Sequence, residues 1–140
     1  MMLMISVPLA RELRDAGLRW TPESGDRFLI EQAEMLDVYT VSEMTVEAHT
    51  FPTGTVLGFN GTTEWALDSV DVADALWLPR EDQLRAMLRG TFRSLRIEEG
   101  ADAGYAVSIV FRGEELEFSA PTADDAYGRA LLQLVAATAD

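Results

Sequence analysis

Apolar and polar residues change their spacing several times along this chain, and each change marks an element. From Val7 to Ala16 the apolar positions Leu9, Leu13 and Ala16 recur at helical intervals, with Ser6 placed to cap the helix and Pro8 in its first turn. Gly17 fits the left-handed position that ends a helix, and Leu18 can then fold back onto Leu13. Trp20-Thr-Pro22 and Gly25-Asp26 form a turn-rich connection into a short strand, Phe28 to Ile30. Alternation and β-branched content predict further strands at Val38 to Val41 and at Thr45 to Phe51, stopped by Pro52-Thr-Gly54.

Val56 to Phe59 and Glu64 to Val70 flank Asn60-Gly61, a dipeptide that tolerates positive φ and predicts a type I′ hairpin. The same stretch could instead start a helix capped by Thr63, and Asp71 to Ala75 reads as a loop or short helical turn before Leu76-Trp-Leu78. A second helix runs from Pro79 or Arg80 to Arg89. Glu81 and Asp82 sit in its first turn, Arg85 and Arg89 in its last, and Leu84, Met87 and Leu88 form its apolar stripe. Glu81 and Arg85 are spaced for an i,i+4 ion pair, and Gly90 is the expected stop. Phe92 to Glu98, Tyr105 to Phe111 and Glu115 to Ser119 then read as a three-stranded meander, turning at Gly100 to Gly104 and at Arg112-Gly-Glu114. A last helix opens at Thr122-Ala-Asp-Asp125 and reaches about Ala136, with Ala126, Tyr127, Ala130, Leu131 and Leu134 inward. Gly128 inside it costs about 1 kcal/mol relative to Ala, so close packing on the sheet is expected to compensate.

Strands in consecutive runs, separated by single helices, indicate an α+β fold. We expect antiparallel sheet of about eight short strands, with N-terminal, central and C-terminal helices packed on one side. At 140 residues the chain is expected to form one domain, 1–140, with a division into two halves near residues 71–75 also open.

Charge narrows the function classes. Twenty-four acids against eleven arginines give a formal net charge of −13, which repels nucleic acid and anionic lipid at long range. No nucleic-acid or membrane partner is expected. No stretch approaches the ~20 apolar residues of a membrane helix, and no basic residue precedes the apolar Met1 to Ile5 run, so a cytoplasmic location is expected. Every cation is Arg. Without Lys there is no Walker A phosphate loop, no Schiff-base lysine and no Ser-Lys dyad.

Without Cys, and with His49 as the only imidazole, a zinc site would depend almost wholly on carboxylates, and no metal or other cofactor is expected. Asp68, Asp71 and Asp74 are spaced three apart, unlike the alternate-residue oxygens of an EF-hand loop, and read as a solvated acidic turn. Glu64 and Asp68 could serve as a hydrolytic carboxylate pair. On one strand, however, they stand about 13 Å apart, too far for either glycosidase geometry. No catalytic residue is therefore assigned. A carboxylate- or metal-assisted hydrolase using Glu64, Asp68 or Asp71 is the alternative reading.

Charge is also unevenly placed. Residues 28 to 79 hold nine carboxylates and neither Lys nor Arg, whereas Arg80, Arg85, Arg89, Arg93 and Arg96 fall within 17 residues. Such polarity suits docking to a charged protein partner or head-to-tail self-association into a homo-oligomer. The leading expectation is a non-catalytic, acidic protein-interaction module, with an inhibitor or immunity-type binder of a basic partner as a special case. Its binding residues would be Asn60, Thr62, Glu64, Trp65 and Asp68 on the acidic stretch and Arg85 and Arg89 on the basic helix. Trp20, Trp65 and Trp77 are expected to anchor the core, an exposed one favouring the interface reading instead.

The string Leu57-Gly-Phe-Asn-Gly-Thr-Thr-Glu-Trp-Ala-Leu-Asp-Ser-Val70, with Leu76-Trp-Leu-Pro-Arg-Glu-Asp-Gln-Leu84, resembles an uncharacterised family of small acidic actinobacterial proteins. Ala10-Arg-Glu-Leu-Arg-Asp-Ala-Gly-Leu18 and Asp125-Ala-Tyr-Gly-Arg-Ala-Leu-Leu132 extend the likeness over almost the whole chain. Some members carry a pilus-assembly name, so the resemblance implies an accessory role in pilus assembly. It does not bring the phosphate loop of a pilus ATPase, because that loop needs Lys.

Overall fold

A computed structural model describes residues 4–30, 38–41, 46–51, 54–59, 69–71, 75–100 and 103–138. In chain order the elements are α1 (Val7–Ala16), β1 (Arg27–Ile30), β2 (Val38–Thr40), β3 (Val46–Phe51), β4 (Gly54–Phe59), β5 (Ser69–Asp71), β6 (Ala75–Leu78), α2 (Glu81–Leu88), β7 (Phe92–Glu98), β8 (Gly104–Phe111), β9 (Glu114–Ala120) and α3 (Ala123–Thr138). The fold is α+β. Its arrangement corrects the expectation of about eight strands backed by all three helices. Among the described residues nine strands form three separate antiparallel sheets, β2-β1-β6, β3-β4-β5 and β7-β8-β9. No described helix is long and apolar enough to cross a membrane.

The chain divides into two compact units. Met1–Arg19 with Pro79–Asp140 make the first, and Trp20–Leu78 make the second, inserted into it. Residues 71–75, where the sequence allowed a seam, fall inside the second.

All three helices belong to the first unit. α3 packs on β8 and β9, and α1 and α2 each pack on α3. α1 ends as its sequence requires. Gly17 takes φ 120°, its N–H donates to the Arg14 carbonyl, and Leu18 N–H donates to the Leu13 carbonyl at 2.9 Å, the two bonds of a Schellman motif. Its start differs from expectation, because the Ser6 hydroxyl makes no capping bond. Instead the Ser6 backbone N–H donates to Asp125 Oδ1 at 2.8 Å, tying the start of α1 to the first turn of α3. Thr122 does cap α3, its hydroxyl accepting from Asp125 N–H at 3.2 Å. Gly128 faces α1 rather than the sheet: a Cβ there would lie 2.7 Å from Leu9 Cδ2 and 3.1 Å from Ile5 Cδ1.

The meander forms in the expected order, with Arg112 (φ 53°) and Gly113 (φ 81°) joining β8 to β9. Two successive positive φ values are what a type I′ hairpin demands. Val107 and Ile109 of β8 are fully buried and, with Ala126, Ala130, Leu131, Leu84 and Leu88, make the core of this unit.

In the second unit every residue of β1 is buried. Phe28 pairs with Tyr39 on one side and Trp77 on the other. Trp20 lies 5.5 Å from the Phe28 ring and stacks on Trp77 at 6.4 Å and 10°, so Trp20 and Trp77 do anchor an aromatic cluster. Asp26 sets Trp20 in place. Its buried carboxylate accepts the Trp20 indole N–H at 2.9 Å and the Glu23 backbone N–H at 3.0 Å through the same oxygen.

The register of β4 is not the one that a tight Asn60-Gly61 hairpin predicts. A two-residue turn there would set Leu57 opposite Glu64, yet Leu57 pairs with Val70 and Gly58 with Ser69. The Asn60-Gly61 turn itself, and the choice between strand and helix for 63–68, lie outside the described residues.

Candidate functional site

Of the residues that sequence reasoning proposed for binding, Asn60, Thr62, Glu64, Trp65 and Asp68 lie outside the described residues. Asp71 ends β5 opposite Val56, which is itself opposite His49 of β3. The sole imidazole residue and this acid thus share one row of the sheet, two strand spacings or about 9.6 Å apart along it. Arg85 and Arg89 are described, and the structure brings them together.

Arg85 lies on α2 and Arg89 is the residue that follows its last turn. With Glu81, Asp82, Ala86, Phe92 and Tyr127 they line an open groove of about 690 Å³. Local sequence explains the floor of the groove. Leu84 and Leu88 are fully buried, which turns the intervening Arg85 outward. The Arg80 N–H donates to Gln83 Oε1 at 2.9 Å, closing the first turn of α2 from its N-cap.

Arg85 does not form the expected pair with Glu81. Its guanidinium carbon instead sits 4.8 Å from the centroid of the Phe92 ring, a cation–π arrangement. The Phe92 ring in turn lies 5.8 Å from Tyr127 at 42°. Burial pushes the Tyr127 phenol above its ordinary pKa; the Glu81 carboxylate adds to the shift, and Arg85 opposes it. Tyr127 is therefore a neutral hydroxyl at physiological pH, able to donate a hydrogen bond and unsuited to act as a base.

The remaining arginines of the basic segment are engaged elsewhere, which narrows the apparent cluster. Arg80 pairs with Asp82 at 3.1 Å. Arg93 donates to the carbonyls of Gly90 and Phe92. Arg96 donates to Glu117 Oε1 at 2.7 Å and Ser108 Oγ at 3.2 Å, and the Glu117 contact raises its already high pKa. Arg85 and Arg89 alone of the five line the groove.

Arg89 carries a further cost. The expected helix stop, Gly90, has no positive φ; Arg89 has φ 52° and ψ −136°, a region that favours glycine. Arg89→Gly is expected to raise stability by about 1 kcal/mol, and Gly90→Ala to add about 0.5 kcal/mol, since an added Cβ at Gly90 meets nothing within 4 Å. Urea denaturation midpoints check both. A loss of stability in Arg89→Gly would mean that the arginine side chain contributes more than the backbone strain removes.

Phe92 and Tyr127 were not singled out as site residues from the sequence. An aromatic at a strand start and another on an inward helix face read as core, and only tertiary packing places them beside Arg85. Against protein-family models, curated proteins and solved structures, the chain finds no match.

Proposed function

We propose that the protein is a non-catalytic binding module that receives a carboxylate-bearing segment of a protein partner in the groove between α2, Phe92 and Tyr127. The observation that carries this reading is the stacking of Arg85 on Phe92, with Arg89 beside it in the same groove. A guanidinium already ordered on a ring loses less rotamer freedom on binding than a free one, and its fork matches a carboxylate. The hydroxyl of Tyr127 supplies a neutral donor. Glu81 and Asp82 on the same wall disfavour a run of acids, so the segment that fits presents one or two carboxylates beside an apolar side chain.

The acidic stretch of residues 28–79, with Glu64 and Trp65, is proposed as a second contact for a basic partner, in the manner of an inhibitor or immunity protein. A cytoplasmic location, membership of the actinobacterial family and an accessory role in assembly belong to the same proposal.

Titration with fluorescent Asp- and Glu-containing peptides of varied apolar context tests the groove. Binding is expected to weaken by about tenfold in Arg85→Ala and further in the Arg85→Ala, Arg89→Ala double variant, as for loss of a charge-assisted contact. No binding by any peptide, or equal binding by the double variant, defeats the reading. The alternative hydrolase on Glu64, Asp68 and Asp71 predicts thermal stabilisation by Mg²⁺, Ca²⁺ or Mn²⁺, whereas the binding module predicts none.

A further inference from the structure

Among the described residues, the β7-β8-β9 sheet ends in two strands of opposite character with no further strand paired to them. On β9, Glu114, Glu115 and Glu117 are exposed; on β7, Arg93, Arg96 and Ile97 are exposed, with Ile97 at 74%. Open edges of this kind invite a further strand unless something blocks them.

Two contacts fix which backbone groups point outward. A Cβ added to Gly104 of β8 would lie 2.5 Å from the Ala120 carbonyl oxygen, so that carbonyl is aimed at β8. The neighbouring Ser119 carbonyl instead accepts from Arg129 Nη1 of α3 at 2.5 Å, off the sheet. Since alternate residues of a strand direct their N–H and C=O groups to the same side, Glu115 and Glu117 present theirs outward while Leu116, Phe118 and Ala120 bond β8. Carried across the register, Ser94 and Arg96 bond β8 opposite Ser108 and Ala106, and the N–H and C=O groups of Leu95 and Ile97 face outward on β7.

Charge then selects the pairing. β9 against β9 opposes glutamates, whereas β7 carries Arg93 and Arg96 against one acid, Glu98; although Arg96 is already bridged to Glu117 within the chain, β9 against β7 sets the acidic edge on a net basic one. Shape agrees with charge. Ile97 shares a row with Tyr105 and Ala120, hence a face with Phe118, and beside β9 on that face a groove of about 440 Å³ is lined by Leu9, Phe118, Leu132 and Ala136. β7 and β9 run in the same direction, so a copy added without reversal keeps this face on the same side.

We propose that the chain associates head to tail with a second copy of itself, β7 of one copy joining the β9 edge of the next as a parallel strand and Ile97 entering the groove that Phe118 of β9 forms with α1 and α3. Such a contact is heterologous: each copy keeps one free edge of each kind, so assembly continues past the dimer unless a rotation closes a ring. The proposal does not rest on the Arg85–Arg89 groove, which shares with that edge only Phe92, the first residue of β7.

Sedimentation velocity over a hundredfold range of concentration at low salt tests it. Average mass is expected to rise beyond two chains and to fall with added salt. Ile97→Glu, which spoils only the β7 edge, and Glu115→Arg, which spoils only the β9 edge, are each expected to be monomeric with unchanged circular dichroism. Mixed together they should give a one-to-one dimer that grows no further, because only one good edge of each kind is left. A wild type that stays monomeric or stops at a dimer closed by like edges overturns the proposal; so do variants that still assemble, or a mixture that stays monomeric.

Discussion

Phe28→Ala is expected to destabilise the second unit by about 3–5 kcal/mol, the largest single effect foreseen for this chain. Phe28 has no exposed surface, and its ring touches Trp20 at 5.5 Å and Tyr39 at 5.6 Å. It also sits on the central strand of its sheet, paired to Tyr39 and Trp77 at once. Truncation removes the transfer energy of the ring and leaves a void that paired strands on either side cannot close by sliding, since a register slip would reverse every side chain. The measurement has a convenient separation of probes. Trp20, Trp65 and Trp77 all lie within residues 20–78, whereas every described helix lies in the other unit. Tryptophan fluorescence in urea therefore reports the second unit, and circular dichroism at the helical band the first. The fluorescence midpoint should fall sharply. If the two probes move together, the units unfold as one cooperative system; if only fluorescence moves, they unfold separately. A change below about 1 kcal/mol would contradict the central packing of Phe28.

What the sequence made legible was local. The end of α1 was readable because a Schellman motif is settled by Gly17 and Leu18 within six residues of the chain. The meander and α3 were readable for the same reason, their turn residues and apolar spacing being short-range signals. Where a choice depended on a distant partner, expectation failed. Ser6 stands at the N-cap with the right chemistry, yet its hydroxyl makes no capping bond, and the contact that fixes this end of α1 is its backbone N–H to Asp125, 119 residues away. Glu81 and Arg85 have the right spacing for an ion pair, but Phe92 offers the guanidinium a face. Asn60-Gly61 has the right chemistry for a hairpin, but β4 takes its register from Ser69 to Asp71. The candidate groove was half visible for the same physical reason. Its charged wall lies on one helix, where spacing reveals it, while Phe92 and Tyr127 arrive from β7 and α3.

Gly104→Ala is expected to cost about 3 kcal/mol in the first unit, near the upper end for overpacking, although it adds only a methyl group. The new Cβ would sit 2.5 Å from the Ala120 carbonyl oxygen, 3.3 Å from its carbon and 3.3 Å from Pro121 Cα. All three are backbone atoms, and little about them can yield. Ser119 is held by Arg129, Tyr105 is paired with Ala120, and Thr122 caps α3 two residues further on. Relief must come from parting β8 and β9 at their junction with α3, which is also the core of the unit. Gly128→Ala makes the contrast. There the nearest atoms are side-chain tips of Leu9 and Ile5, which can rotate away, and Ala gains about 1 kcal/mol of helix propensity over Gly. The two terms offset, so Gly128→Ala should lie within about 1 kcal/mol of wild type. The helical dichroism midpoint is expected to drop for Gly104→Ala, with tryptophan fluorescence separating a local effect from a global one. Equal midpoints for the two variants would show that the β8–β9 junction can open without cost, and would remove the basis for a rigid β9 edge.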